Sequence, residues 1–120
     1  TAAVAEAMPA RLFAAETFAH RPEIVATVRT MIERTDPSGL AAAQHGMAAR
    51  EDVRNFLPSI RVPTLVVVGR EDYATPVSMA EALHRALPQS TLTVIEQGRH
   101  ITPVECPHNI ARELKKLIGV

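Results

Sequence analysis

The order of apolar and polar residues divides the chain into two halves of different character. Over residues 22–34 the apolar side chains recur three and four positions apart, the spacing of one face of an α-helix, and Pro22 suits the first position of that helix. A turn is expected next, at Asp36-Pro37-Ser38-Gly39. Further helices are expected over residues 40–48 and 51–57, and one more either before Pro9 or over residues 10–18. The first half is therefore predicted to be helical.

The second half alternates between strand and helix. Residues 64–68 are a continuous apolar run, typical of a strand in a parallel sheet that is covered on both faces. Thr75-Pro76 predicts a helix N-cap followed by proline at the first helical position. A second strand is expected over residues 91–95, and a last helix between Pro107 and Gly119. Strand, helix, strand and helix in this order form a parallel unit. The predicted fold class is thus α/β, a partial parallel core preceded by helices.

A sheet of two parallel strands is not stable by itself. The strand at residues 64–68 needs a neighbour on each edge, and no other segment of the sequence has strand character. We therefore expect either a partner that supplies the missing strands, which could be a second copy of the chain, or a longer fold of which this chain is a part. A first residue other than Met, Thr1, favours the second possibility.

Composition excludes several classes of function. The chain has 120 residues, with 13 basic and 13 acidic side chains, so its zero net charge gives no reason to expect a nucleic acid or an anionic membrane as partner. No apolar run approaches the roughly 20 residues that span a bilayer. The single cysteine, Cys106, cannot form an internal disulfide, which indicates a cytoplasmic setting. No metal or organic cofactor is expected, because the sequence has no metal-binding histidine pattern and no glycine-rich phosphate loop.

The candidate chemistry lies in the two loops that follow the predicted strands. Asp72 follows the first strand and His100 follows the second. Parallel neighbouring strands end at the same edge of a sheet, where sites form in open α/β folds, so the carboxylate and the imidazole are expected within hydrogen-bond reach. Such a carboxylate fixes the tautomer of the imidazole and stabilises the imidazolium. Either residue alone would be ordinary loop chemistry; the interpretation of the pair depends on the motifs that contain it.

Two motifs around these residues resemble segments of the α/β-hydrolases. I-R-V-P-T-L-V-V-V-G-R-E-D, ending at Asp72, resembles the segment that carries the triad acid, and G-R-H with E-C-P resembles the segment that carries the triad histidine. The resemblance implies that Asp72 is the acid and His100 the base. It also implies that residues 1–57 are the helical cap, or lid, and residues 58–120 the C-terminal part of the core. Residues 29–32 and 46–52 resemble most the cap of 3-oxoadipate enol-lactonases.

The chain departs from the hydrolase pattern at the nucleophile. The family's serine lies in a G-x-S-x-G elbow, and no serine here has glycine two positions before and after it. The serines are Ser38, Ser59, Ser78 and Ser90. The resemblance thus implies a C-terminal fragment of a serine-type hydrolase of an ester or lactone, inactive alone for lack of nucleophile and oxyanion donors. Haloperoxidase-like and carbon–carbon hydrolase chemistry stay open on the same scaffold.

The alternative hypothesis is a non-catalytic hydrolase-like protein. An exposed sheet edge and apolar faces would favour self-association or binding to a complementary chain. Other polar residues are expected to be ordinary surface residues, with contact to an anionic substrate as the alternative for Arg50 and Arg99. The remaining histidines are expected to be ordinary surface or helix-face residues, and the Cys106 thiol is expected to be unactivated.

Overall fold

The computed structural model describes residues 2–120, and its first half is helical, as the sequence predicts. Five helices follow one another: α1 (Ala2–Ala7), α2 (Pro9–Leu12), α3 (Ala15–His20), α4 (Pro22–Arg34) and α5 (Pro37–Ala48). The predicted helix over residues 22–34 is confirmed at both ends, and Pro22 lies in its first turn. A 3₁₀ helix, Arg54–Ser59, stands where the sequence predicted a helix over residues 51–57.

The turn predicted at residues 36–39 is wrong. Asp36 is the N-cap of α5, because its carboxylate accepts hydrogen bonds of 2.8 Å from both the N–H and the hydroxyl of Ser38. Pro37 then lies in the first turn, where its missing N–H leaves no bond unmade. The aspartate and proline that suggested a turn are thus the start of a helix.

The second half is a parallel α/β unit. It consists of β1 (Thr64–Gly69), α6 (Val77–Ala86), β2 (Ser90–Ile95), α7 (Thr102–Glu105) and α8 (Pro107–Ile118). β1 and β2 pair in parallel, with Thr64 opposite Ser90 and Gly69 opposite Ile95. The predicted fold class is confirmed. The short helix α7 was not predicted, and the N-cap of α6 is Pro76 rather than Thr75.

The apolar stripes predicted for the strand and the helices are only partly buried. In β1, Val68 and Gly69 are buried but residues 65–67 are half-buried. β1 pairs with β2 along one edge, and no strand among residues 2–120 pairs with its other edge. Met31 of α4 and Ile118 of α8 are 63% and 68% exposed. The apolar faces that the sequence predicts to be buried are therefore not covered by other residues of the described chain.

The residues of the buried hydrophobic core lie in two groups. Ala5, Phe13 and Ala14 are buried in the N-terminal helices, and the rings of Phe13 and Phe18 meet edge to face with centroids 6.2 Å apart. The second group surrounds the sheet and consists of Val68, Ala80, Leu87 and Ile95. Within residues 2–120, none of the helices has the length and apolar character to cross a membrane.

Candidate active site

The structure brings Asp72 and His100 together at the carboxyl ends of the two strands. Nδ1 of His100 lies 2.9 Å from Oδ2 of Asp72, so the predicted proximity is confirmed. An ionised carboxylate accepts only, so the imidazole donates from Nδ1–H, and the neutral ring then has its lone pair on Nε2. The pair can hold a histidine ready to take a proton at Nε2.

The carboxylate of Asp72 is fixed by its own loop. Its Oδ1 accepts hydrogen bonds of 2.9 Å from the backbone N–H groups of Ala74 and Thr75, and its Oδ2 accepts one of 2.7 Å from the Thr75 hydroxyl. The residue is 5% exposed. Burial raises the pKa of Asp72, but the donors from Thr75, His100 and Ala74 outweigh it and hold the pKa below 3.8. Asp72 is therefore a carboxylate at neutral pH.

His100 lies at the surface on a loop that is bound to the N-terminal helices. Its side chain is 36% exposed. Its backbone N–H donates to the carbonyl of Leu12, at 3.0 Å. Among residues 2–120 only Asp72 hydrogen-bonds to the ring, and no serine does. The imidazole is thus anchored at Nδ1 and open to a reactant at Nε2.

Gly69 allows the two site loops to approach each other. A Cβ on Gly69 would lie 2.1 Å from the carbonyl oxygen of Arg99 and 2.4 Å from that of Gly98. Both contacts are to backbone, which cannot rotate away. The glycine that ends β1 is therefore what lets the histidine loop lie beside the aspartate loop.

Glu105 is a polar centre that sequence reasoning assigned no role. It is 2% exposed, and its carboxylate accepts hydrogen bonds from the backbone N–H of Ala14, the hydroxyl of Thr17 and the backbone N–H of Arg99. The E-C-P motif was the available sequence signal. Its role is not visible in sequence because two of its partners lie about 90 residues earlier.

One cavity lies beside the pair, and a second shares part of its lining. The first, of about 270 Å³, is lined by Asp72 and His100 and extends along β1 to Val66. The second, of about 510 Å³, lies between the 3₁₀ helix and α6 and is mainly apolar. Met79 and Leu83 line both cavities. The cavity beside the imidazole thus has an apolar wall.

The other polar residues singled out in the sequence are separate from this pair or have ordinary partners. The guanidinium of Arg99 lies 5.0 Å from the centroid of the Tyr73 ring, a cation–π contact. His84 lies on a face of helix α6, where its Nδ1 is 2.8 Å from the hydroxyl of Ser90. Burial and the neighbouring Glu105 raise the pKa of the Cys106 thiol, so it is protonated at neutral pH. The described residues contain no cluster of metal-ligating side chains.

Comparison with known proteins identifies relatives of the chain. A model of the Ndr family matches residues 1–119. A thermophilic esterase from Thermogutta terrifontis, in a malate-bound structure, is 38% identical with a TM-score of 0.91, over 96% of this chain and 42% of that one. The enol-lactonase from Burkholderia xenovorans LB400 is 25% identical with a TM-score of 0.89, over 98% of this chain and 45% of that one.

A curated relative matches a shorter segment. The pimeloyl-acyl-carrier-protein methyl ester esterase of Neisseria meningitidis serogroup A is 45% identical over 64 residues, which are 53% of this chain and 20% of that protein. The chain thus spans less than half of the two solved relatives and about a fifth of this curated one. Each of these three relatives is named for hydrolysis of an ester or a lactone.

Proposed function

The chain belongs to the Ndr family of the α/β-hydrolase superfamily, and from this membership we propose that it supplies the acid and the histidine of a serine-type ester or lactone hydrolase. The observation that supports the proposal most is the 2.9 Å hydrogen bond between His100 Nδ1 and Asp72 Oδ2. Residues 1–57 are the cap of this enzyme in our proposal, and residues 58–120 are the C-terminal part of its core. The nucleophilic serine comes from outside these 120 residues.

The proposed reaction is acyl transfer through a covalent intermediate. The serine oxygen attacks the carbonyl carbon of the ester while Nε2 of His100 takes the serine proton. His100 then returns this proton to the alkoxide as it leaves, and water hydrolyses the acyl-enzyme in the same way. Asp72 accepts the hydrogen bond from Nδ1–H, so that the neutral imidazole carries its lone pair on Nε2, and it stabilises the imidazolium in between. The reaction needs no metal and no organic cofactor, and we propose that it takes place in the cytoplasm.

The substrate class is proposed from the cavities and from the relatives. The apolar wall of Met79 and Leu83 suits the acyl part of an ester or a lactone ring. The enol-lactonase and the Thermogutta terrifontis esterase are similar to this chain over nearly its whole length, which includes both site loops. A small carboxylic ester or lactone, such as 3-oxoadipate enol-lactone, is therefore the substrate that we propose.

A second candidate function is supported by the free edge of β1. The strand exposes one row of backbone groups, because β2 pairs with its other edge and the sheet of the described residues has two strands. Such an edge is a template for another strand. In this alternative the chain is a non-catalytic binding protein that self-associates or takes up a complementary chain.

Labelling with a fluorophosphonate probe separates the two functions, because such probes react with a serine that a histidine activates. The chain is tested alone and after refolding with a segment of an α/β-hydrolase relative that carries G-x-S-x-G. We expect no label on the chain alone and label on the serine of the added segment, lost with His100→Gln and kept with His45→Gln, an exposed histidine on α5. A complex that forms but stays unlabelled would favour the binding protein.

A further inference from the structure

We propose that Glu105 is a positioning residue for His100, whose carboxylate binds the histidine loop to the N-terminal helices and so sets the direction of the imidazole. This inference rests on the proposed acid–base role of His100. It adds a requirement that the helical first half be docked before the histidine can work. The hydrogen bond between Asp72 and His100 does not by itself require the helical half to be docked.

The contacts of Glu105 join two distant parts of the chain. Oε1 accepts hydrogen bonds from the Ala14 N–H at 2.6 Å and the Thr17 hydroxyl at 2.9 Å, both in the N-terminal helical half. Oε2 accepts one from the Arg99 N–H at 2.7 Å, the residue directly before His100. One carboxylate therefore fixes the peptide unit next to the histidine against the helices.

Two further hydrogen bonds tighten the same junction. The N–H of His100 donates to the carbonyl of Leu12, at 3.0 Å. The guanidinium of Arg21 donates to the backbone carbonyl of Glu105. Consecutive peptide N–H groups of the histidine loop are thus held on one side by Glu105 and on the other by the segment before Ala14. These bonds hold the backbone at His100, and with it the direction of the Cα–Cβ bond that carries the imidazole.

The charge on Glu105 explains why the junction is specific. A buried carboxylate is costly unless it is fully hydrogen-bonded. No Lys or Arg side chain among residues 2–120 forms a salt bridge with this carboxylate, so three neutral donors hold it. These donors must all be in place at once, and they come from both halves of the chain. The docked arrangement is therefore the one that satisfies Glu105.

Glutamine cannot reproduce this arrangement. The carboxylate presents acceptors on both oxygens, towards Ala14 and Thr17 on one side and towards Arg99 on the other. The amide of Glu105→Gln has one oxygen and one NH₂ group, so in either orientation an N–H donor meets another donor. The substitution keeps the shape of the side chain and breaks the hydrogen bonding on one of its two sides. It thus separates the positioning role from mere filling of space.

The test reads the tautomer of His100 in the full 120-residue chain, from the ¹⁵N shifts of the imidazole nitrogens. We expect His100 to carry its proton on Nδ1 in the unsubstituted chain and to lose this preference in Glu105→Gln. Glu113→Gln is the matched control, since Glu113 accepts from Arg112 and Lys116 on α8, away from the junction. It should leave His100 unchanged. An unchanged Nδ1–H tautomer in a folded Glu105→Gln would overturn the proposal.

Hydrogen exchange in the unsubstituted chain decides the question if Glu105→Gln does not fold. The amides of Ala14, Arg99 and His100 should open together, with one common protection factor, because they belong to one junction. Exchange of the His100 amide that is faster than that of Ala14 by tenfold or more would overturn the proposal. Neither measurement depends on hydrolysis, so failure of the proposed function and failure of the Glu105 inference are distinguishable.

Discussion

Asp72 accepts four hydrogen bonds, and three of them come from Ala74 and Thr75 in its own loop. The carboxylate is therefore set in place independently of the imidazole that it orients. Sequence reasoning identified Asp72 and His100 from their positions after two strands and from the two motifs that resemble α/β-hydrolase segments, because both signals are local in sequence. It could not identify the contribution of Thr75, which was expected to cap α6, because a hydroxyl can serve either partner and only the loop geometry decides between them.

Acidification should show the contribution of Asp72 to stability. Its folded pKa lies below 3.8, so the stabilisation is fully present above the unfolded value of about 3.9 and is lost as the pH falls through the lower folded pKa. We expect Asp72→Asn to lower the free energy of unfolding by about 1–3 kcal/mol at pH 7, since donors lose a charged acceptor. In urea unfolding, the difference in the free energy of unfolding between the unsubstituted chain and Asp72→Asn should shrink below pH 3.8. A difference that stays constant down to pH 2 would contradict this assignment.

At the scale of elements, the site depends on how closely β1 and the loop after β2 approach each other. The apolar run predicted β1 to within one residue, and the second strand equally well, because both patterns are local. The role of Gly69 was not predictable beyond the end of a strand. Its constraint comes from the carbonyl groups of Gly98 and Arg99, which lie about 30 residues later in the sequence.

Gly69→Ala should therefore be strongly destabilising. The added methyl group would lie 2.1 Å from a backbone oxygen, and the loop must move. We expect the free energy of unfolding to fall by at least about 1–3 kcal/mol and the tautomer of His100 to change. Gly46→Ala in α5 is the control, because nothing lies within 4 Å of its added Cβ, and alanine should stabilise the helix by about 0.5–1 kcal/mol. Equal effects of the two substitutions would contradict the close approach.

At the scale of the whole molecule, the chain is less compact than a typical monomeric protein of the same length. Its radius of gyration is 16.1 Å, against about 14 Å for a compact domain of 120 residues. Its accessible surface is 8247 Å², against about 6,300 Å² for a monomeric protein of 13.0 kDa. This large exposed surface was expected from the sequence, which predicted two strands and no further strand to pair with them. Which surface covers them is not encoded in these residues, so the division into cap and core stays a prediction.

The uncovered surface should make the chain associate. In size-exclusion chromatography with light scattering, we expect a mass above 13.0 kDa that rises with concentration. Val66→Lys, on the half-buried part of β1, should shift the mass towards the monomer, because a charge on an edge strand opposes pairing. Met31→Lys, on the exposed face of α4, tests whether the helices rather than the strand form the contact. A monomer at every concentration would contradict an accessible β1 edge.

The turnover of p-nitrophenyl acetate tests the central claim most directly. The claim is that Asp72 and His100 are the acid and base of a hydrolase whose serine lies outside this chain. With the chain refolded on a segment that carries G-x-S-x-G, we predict turnover that falls about 10⁴-fold in Asp72→Asn and at least as much in His100→Gln, and that is unchanged in His45→Gln. Turnover that survives His100→Gln would contradict the account, as would turnover by the chain alone that survives replacement of each of its four serines.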